Sequence, residues 1–149
     1  MKKLLYLFFF WLIVSCEKEQ TKPPITVDSL ILIEVEDIMT NSEKKIILNC
    51  QTEKIYNCSN YYIDQTQIIA DDKFSFIFNG IGTDKICTTA LEPAKTTLYI
   101  GALASGAYPL SLKVNGLQNT GTLTVTDTKI LLDFPQQNGL KILNPVYDR

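Results

Sequence analysis

The most reactive side chains in this 149-residue sequence are four cysteines, at positions 16, 50, 58 and 87. Histidine is missing altogether. Its absence removes Ser-His-Asp and Cys-His catalysis, histidine-ligated zinc and the commonest general base. Catalysis would fall to carboxylates, tyrosine or lysine. Asp71-Asp72 is the one adjacent acid pair in the middle of the chain. Such neighbours point to opposite faces of a strand, or sit solvated in a turn. No Asp-x-Asp-x-Asp-Gly run offers calcium ligands, and the cysteines lack the Cys-x-x-Cys spacing of zinc and redox sites. The residues therefore predict no catalytic group, no metal and no cofactor. For binding chemistry, Tyr56, Tyr61 and Tyr62 form the densest tyrosine cluster of the sequence and are the candidate binding patch.

Cys16 stands apart from the other three. Lys2 and Lys3 precede an unbroken apolar run from Leu4 to Val14, eleven residues long. That length suits the core of a signal peptide, whereas a spanning helix needs roughly 20 residues. The run Ile13-Val14-Ser15-Cys16 closes it. These four residues resemble the lipobox of bacterial lipoproteins. The resemblance implies cleavage before Cys16 and a diacylglyceryl group on its sulfur, so residues 1–15 are expected to be a signal peptide. One acyl chain holds a membrane only marginally, at about 0.8 kcal/mol per buried CH₂, and two or three hold it stably.

Residues 17–24, Glu-Lys-Glu-Gln-Thr-Lys-Pro-Pro, read as an extended tether. With the lipidated cysteine they give a unit of 16–24. Glu17-Lys18-Glu19 resembles the short charged signals that send Bacteroidetes lipoproteins to the cell surface. Asp28-Ser29-Leu30 resembles the acceptor of Bacteroidetes O-glycosylation, which makes Ser29 a candidate glycan site. Trp11, the only tryptophan, lies inside the signal peptide. Residues 1–15 hold Lys2 and Lys3 as their only charges, so their removal takes 14 basic residues to 12 against 16 acidic ones, a net charge of −4. No basic run remains to neutralise phosphates, which argues against nucleic acid.

Residues 25–149 read as one all-β domain. Apolar residues alternate with polar ones at Ile31/Ile33/Val35, Ile46/Leu48, Phe74/Phe76/Phe78, Tyr108/Leu110/Leu112/Val114 and Leu123/Val125. Turn signals fall at Asp71-Asp72, Asn79-Gly80, Asn115-Gly116 and Asn138-Gly139. Seven to nine short strands at this spacing predict a sandwich or barrel. A strand from Tyr108 to Asn115 is expected to pair with 121–126 across a loop at 116–120. A last hairpin is expected to join 130–134 to 140–143, with 144–147 as a strand exit. The segment Leu103-Ala104-Ser105-Gly106-Ala107-Tyr108 resembles the tyrosine corner of immunoglobulin-like domains. That resemblance implies an immunoglobulin-like antiparallel β-sandwich, with another antiparallel fold as the alternative. It also implies a buried Tyr108 whose hydroxyl caps upstream backbone.

With Cys16 assigned to lipid, three cysteines remain for an exported domain, where disulfides persist. A hairpin centred on Asp71-Asp72 makes paired positions sum to about 143. Cys58 and Cys87 nearly satisfy that sum if a bulge near Gly80 or Gly82 absorbs the offset. Cys50–Cys58, closing a shorter loop, is the rival pairing. The expected molecule is a non-catalytic binding or structural module of the cell envelope. It would be held to the outer membrane by fatty acids on Cys16, on the periplasmic face or the cell surface, with a protein or glycan partner. An accessory or inhibitory subunit of an envelope complex is the alternative, and a small carboxylate-dependent hydrolase a distant one.

Overall fold

The computed structural model describes residues 25–84, 87 and 89–149. The expected signal peptide (1–15) and the expected lipidated cysteine and tether (16–24) lie outside the described residues. Ten strands follow one another with no helix among the described residues. They are β1 (Ile31–Thr40), β2 (Glu43–Tyr56), β3 (Tyr61–Ala70), β4 (Lys73–Thr83), β5 (Glu92–Gly101), β6 (Gly106–Val114), β7 (Leu117–Val125), β8 (Lys129–Asp133), β9 (Leu140–Ile142) and β10 (Val146–Asp148). Hydrogen bonds join all ten in the order β10-β8-β7-β6-β4-β3-β5-β2-β1-β9.

The all-β expectation holds, and the ten strands form one open sheet curled into a half-barrel in which two stacked sheets are not set apart. Two features of the pairing depart from the expected antiparallel arrangement. β4 lies parallel to β6 over Phe74–Phe78, and β9 lies parallel to β1 over Leu140–Ile142. Strand periodicity carries no information on such long crossovers. The junction of β3 with β5 is a single parallel bridge, Tyr62 to Lys95, so the array is nearly parted there.

The inner surface is the expected apolar set. Phe74, Phe76 and Phe78 of β4 pack with Ile31, Ile33, Val35, Ile46, Leu48, Leu110, Leu112, Val114, Leu123 and Val125 in one cluster. Phe76 is completely buried. Three hairpins turn on two residues of positive φ: Asn41-Ser42 (52° and 66°), Asp71-Asp72 (48° and 60°) and Asn115-Gly116 (48° and 83°). This geometry matches the right-handed twist of the flanking strands, and Asn, Asp and Gly adopt it at least cost. Asp71 and Asp72 are exposed turn residues.

Three expectations need correction. Asn79-Gly80 is no turn: β4 runs through it, with Asn79 as an extra residue between the pairs Gln65–Phe78 and Asp64–Gly80. The loop expected at 116–120 is strand, because Asn115-Gly116 alone makes the turn and Leu110 then faces Gly121. The last hairpin does not form. β8 pairs with β7 and β10, and β9 pairs with β1. Asn119, fully buried on β7, explains the last of these. Its side-chain amide accepts from Asn138 N (2.6 Å) and donates to Asn138 O (3.1 Å) and Leu112 O (3.2 Å). It holds the 134–139 loop as a strand would, and carries the chain across the sheet to β1.

The two free margins of the half-barrel meet. Arg149, just after β10, places Nε 2.8 Å from Asp37 Oδ2 on β1, with side-chain exposures of only 10% and 5%. Beside it, the Asn144 amide binds both the N–H and the carbonyl of Val35, each at 2.8 Å, and extends the β9 pairing by one peptide-like unit.

The tyrosine corner does form locally. Tyr108 donates from its hydroxyl to Ala104 O at 3.0 Å, and its ring meets Phe74 edge-on at 6.4 Å. The residue is half-buried, not fully buried as expected, and the bond is solvent-exposed. Tyr108→Phe therefore leaves a carbonyl that water can satisfy, and should cost about 1 kcal/mol or less. Urea midpoints of the two proteins check this. A loss above 2 kcal/mol would mean that the hydroxyl is sequestered.

Candidate binding surface

Everything at the candidate site hangs on the β3–β4 ladder. Its pairs sum to 143 from Ala70–Lys73 up to Gln65–Phe78, then to 144 after the Asn79 bulge as far as Tyr61–Thr83. Beyond that end the chain from β3 carries Cys58 and the chain from β4 carries Cys87, which form a disulfide with Cα atoms 5.3 Å apart. Cys58 is buried and Cys87 exposed. Cys50, the member of the rival pairing, is free and buried on β2. Burial pushes its thiol pKa up, away from the thiolate that reacts.

Tyr56 and Tyr61 flank the short 57–60 connection, so the disulfide and the strand ends bring their rings together. They stack at 4.5 Å between centroids, with a 25° interplanar angle. Both pack on the edge of the core. Lys54 Nζ lies 5.2 Å from the Tyr56 centroid and forms an ion pair with Asp28 Oδ2. The Tyr56 hydroxyl donates to Asp28 Oδ1 at 3.3 Å. Lys54 lowers the Asp28 pKa. Burial, and then Asp28, push Tyr56 up to about 12. The two rings are thus occupied by each other and by Lys54. This is an internal clasp between the segment before β1, the end of β2 and the start of β3.

Tyr62, one residue on, points the other way, as strand neighbours do. It is 44% exposed, and its ring lies flat over Gly82, where a Cβ would sit 2.6 Å from Cε2 and Oη. Any larger residue at 82 would displace it. The structure therefore joins Tyr56 to Tyr61 and separates Tyr62 from them.

Tyr62 instead belongs to a row that crosses four strands. It faces Lys95 on β5, which faces Gln51 on β2, which faces Leu32 on β1. Paired residues share a face, so the row lies on the outer surface. A parallel row holds Glu34, Asn49 and Thr97. Thr97 Oγ1 donates to Asn49 Oδ1 (3.2 Å), and Asn49 Nδ2 donates to Glu36 Oε2 (2.8 Å). Between the rows, with Leu143 as one wall, runs a shallow groove of about 150 Å³. The sequence reading missed this groove. Its signal is the polar set at outward strand positions, which cannot be assembled without knowing that β5 lies against β2.

Ser29, the candidate glycan acceptor, is half-buried. Its hydroxyl lies 3.4 Å from both the Lys54 N–H and the Leu30 carbonyl, while its neighbour Asp28 is held by Lys54 and Tyr56. No cluster of three or more His, Cys, Asp or Glu side chains fit to hold a metal occurs among the described residues. No helix among them is long and apolar enough to cross a membrane. No protein-family model, no curated protein and no solved structure matches this chain.

Proposed function

We propose that the protein is a cell-envelope lipoprotein, anchored by fatty acids on Cys16, whose β domain is a non-catalytic module that binds a protein or glycan partner. The observation that carries the reading is the Cys58–Cys87 disulfide. A disulfide persists in an oxidising compartment, which is where the Lys2-Lys3 segment, the apolar run and Ile13-Val14-Ser15-Cys16 would send the chain. The Tyr108 corner and the near-parting of the sheet at Tyr62–Lys95 support kinship with the immunoglobulin-like sandwich.

The partner surface in this reading is Tyr62 with the adjoining groove. An exposed aromatic ring presents a large rigid face at little entropic cost. Beside it, Lys95, Gln51, Asn49 and Thr97 offer donors and acceptors to a polar partner. A photo-crosslinking residue placed at Gln51 in intact cells tests this, with Asp72 at the far hairpin as the control. An adduct from position 51 and none from 72 supports the reading. Equal recovery from both positions, or none from either, contradicts it.

A further inference from the structure

Exposed aliphatic side chains gather at both ends of the strand axis, with Met39 (69%), Ile68 (52%) and Ile69 (50%) among those at one end and a group of five at the other. The latter end of the half-barrel is marked by the disulfide and by Ile25, which forms an isolated bridge with Ile81. Ile25, 50% exposed, stands there itself. Leu30 (36%) is tied to the same end by the Glu53 N–H to Leu30 carbonyl bond. Ile55 (53%) faces Pro93 at the start of β5, and Leu91 (78%) lies just before that strand. Leu117 (56%) follows the Asn115-Gly116 turn, and Asn115 Nδ2 reaches Val27 O at 2.6 Å. Five large aliphatic side chains from four segments thus crown this end.

The charges at that end form two ion pairs and leave the exposed carboxylates of Glu53 and Asp84 beside them. Lys54 pairs with Asp28, and Lys95 pairs with Glu92. Such a surface, aliphatic tips with no excess of positive charge, fits the boundary of a neutral phospholipid bilayer better than it fits an anionic one.

The chain itself indicates what covers it. The described residues begin at Ile25, on this very end. Only eight residues, 17–24, separate Cys16 from it, and they span at most about 29 Å when fully extended. With Cys16 in the lipid, this end is held within that distance of the bilayer. The tether then raises the local concentration of lipid around a face that binds it in its own right.

We infer that the domain does not swing freely on its tether. It rests on the bilayer through Ile25, Leu30, Ile55, Leu91 and Leu117, which sets the groove beside Tyr62 at a fixed height above the lipid. The inference rests on the lipoprotein reading for its orientation, and the test is independent of acylation.

The core among the described residues runs from Val27 to Ile142, with Tyr147 packed against it, and a chain of 17–149 keeps all of it. Its partition onto neutral phosphatidylcholine vesicles is measured by co-sedimentation, alongside two surface variants. One carries Ile55→Ser, Leu91→Ser and Leu117→Ser. The other carries Met39→Ser and Ile68→Ser, exposed aliphatic side chains outside the crown. All five positions are more than half exposed, so both variants should melt as the parent does. The parent should bind, the triple variant should lose at least tenfold in partition coefficient, and the double variant should be unchanged. No parental binding, or equal loss in both variants, would overturn the inference. So would a parental dimer in sedimentation that the triple substitution dissolves, since the face would then belong to a second copy. Failure here leaves the lipid on Cys16 unaffected, because that is read separately by fatty-acid labelling.

Discussion

Replacing Cys58 and Cys87 together by serine is expected to cost about 3.6 kcal/mol of stability, the chain-entropy value for closing a loop of 29 residues. For a domain of this size that is a fall in melting temperature of roughly 10–15 °C. The loss arises chiefly in the unfolded chain, which gains freedom when the link is cut. In the folded state the same substitution loosens the 57–60 connection, and with it the Tyr56–Tyr61 stack. Calorimetry of the oxidised parent and the double-serine variant decides the matter. A change below 1 kcal/mol would show that the ladder alone fixes this end. Cys50 provides an internal control. It should resist alkylation in the native protein of either form and react on unfolding.

The second large effect is expected at the opposite end of the molecule. Arg149→Met removes the guanidinium that joins the two margins of the half-barrel and leaves the Asp37 carboxylate nearly buried. Breaking a buried pair from one side costs about 3–5 kcal/mol. Lys44 Nζ, 3.8 Å from Asp37 Oδ2, remains as a partial counter-charge, so about 2–4 kcal/mol is expected. Asp37 Oδ1 has no hydrogen-bond partner and gains none in the variant. Asp37→Leu combined with Arg149→Met should recover much of the loss, since no charge is then left stranded. Urea unfolding of the four proteins gives the coupling energy. A coupling near zero would mean that the margins are held by Asn144 and the β9 pairing alone.

These two effects differ in how far the sequence foretells them. The disulfide was legible because the Asp71-Asp72 turn sets a register, and a register is arithmetic: pairs summing to 143, one bulge, and Cys58 falls near Cys87. The inward faces of β1, β4, β6 and β7 were legible for the same local reason, strict alternation. The tyrosine corner was legible as a contact but not in its burial.

What escaped is non-local. Nothing in the spacing of Phe74–Phe78 and Leu110–Val114 shows that these strands run parallel side by side. Nothing local ties Asp37 to Arg149 across 112 positions. Asn119 left a trace, a polar residue at an inward strand position, but its partner Asn138 lies on a loop whose path depends on that contact. The Leu32–Gln51–Lys95–Tyr62 row draws one residue from each of four strands, and exists only once their order is known. Grouping Tyr62 with Tyr56 and Tyr61 followed sequence proximity, and the alternation of β3 undoes it.

The proposed anchor on Cys16 governs the functional reading, since compartment, orientation and the resting face all depend on it. Its most direct measurement is metabolic labelling of cells with an alkyne fatty acid, comparing the full-length protein with its Cys16→Ser variant. The account predicts a labelled band for the parent, of the mass expected after loss of residues 1–15, and an unlabelled, uncleaved band for the variant. Equal labelling of the two, or a parent that is cleaved but carries no fatty acid, would contradict it.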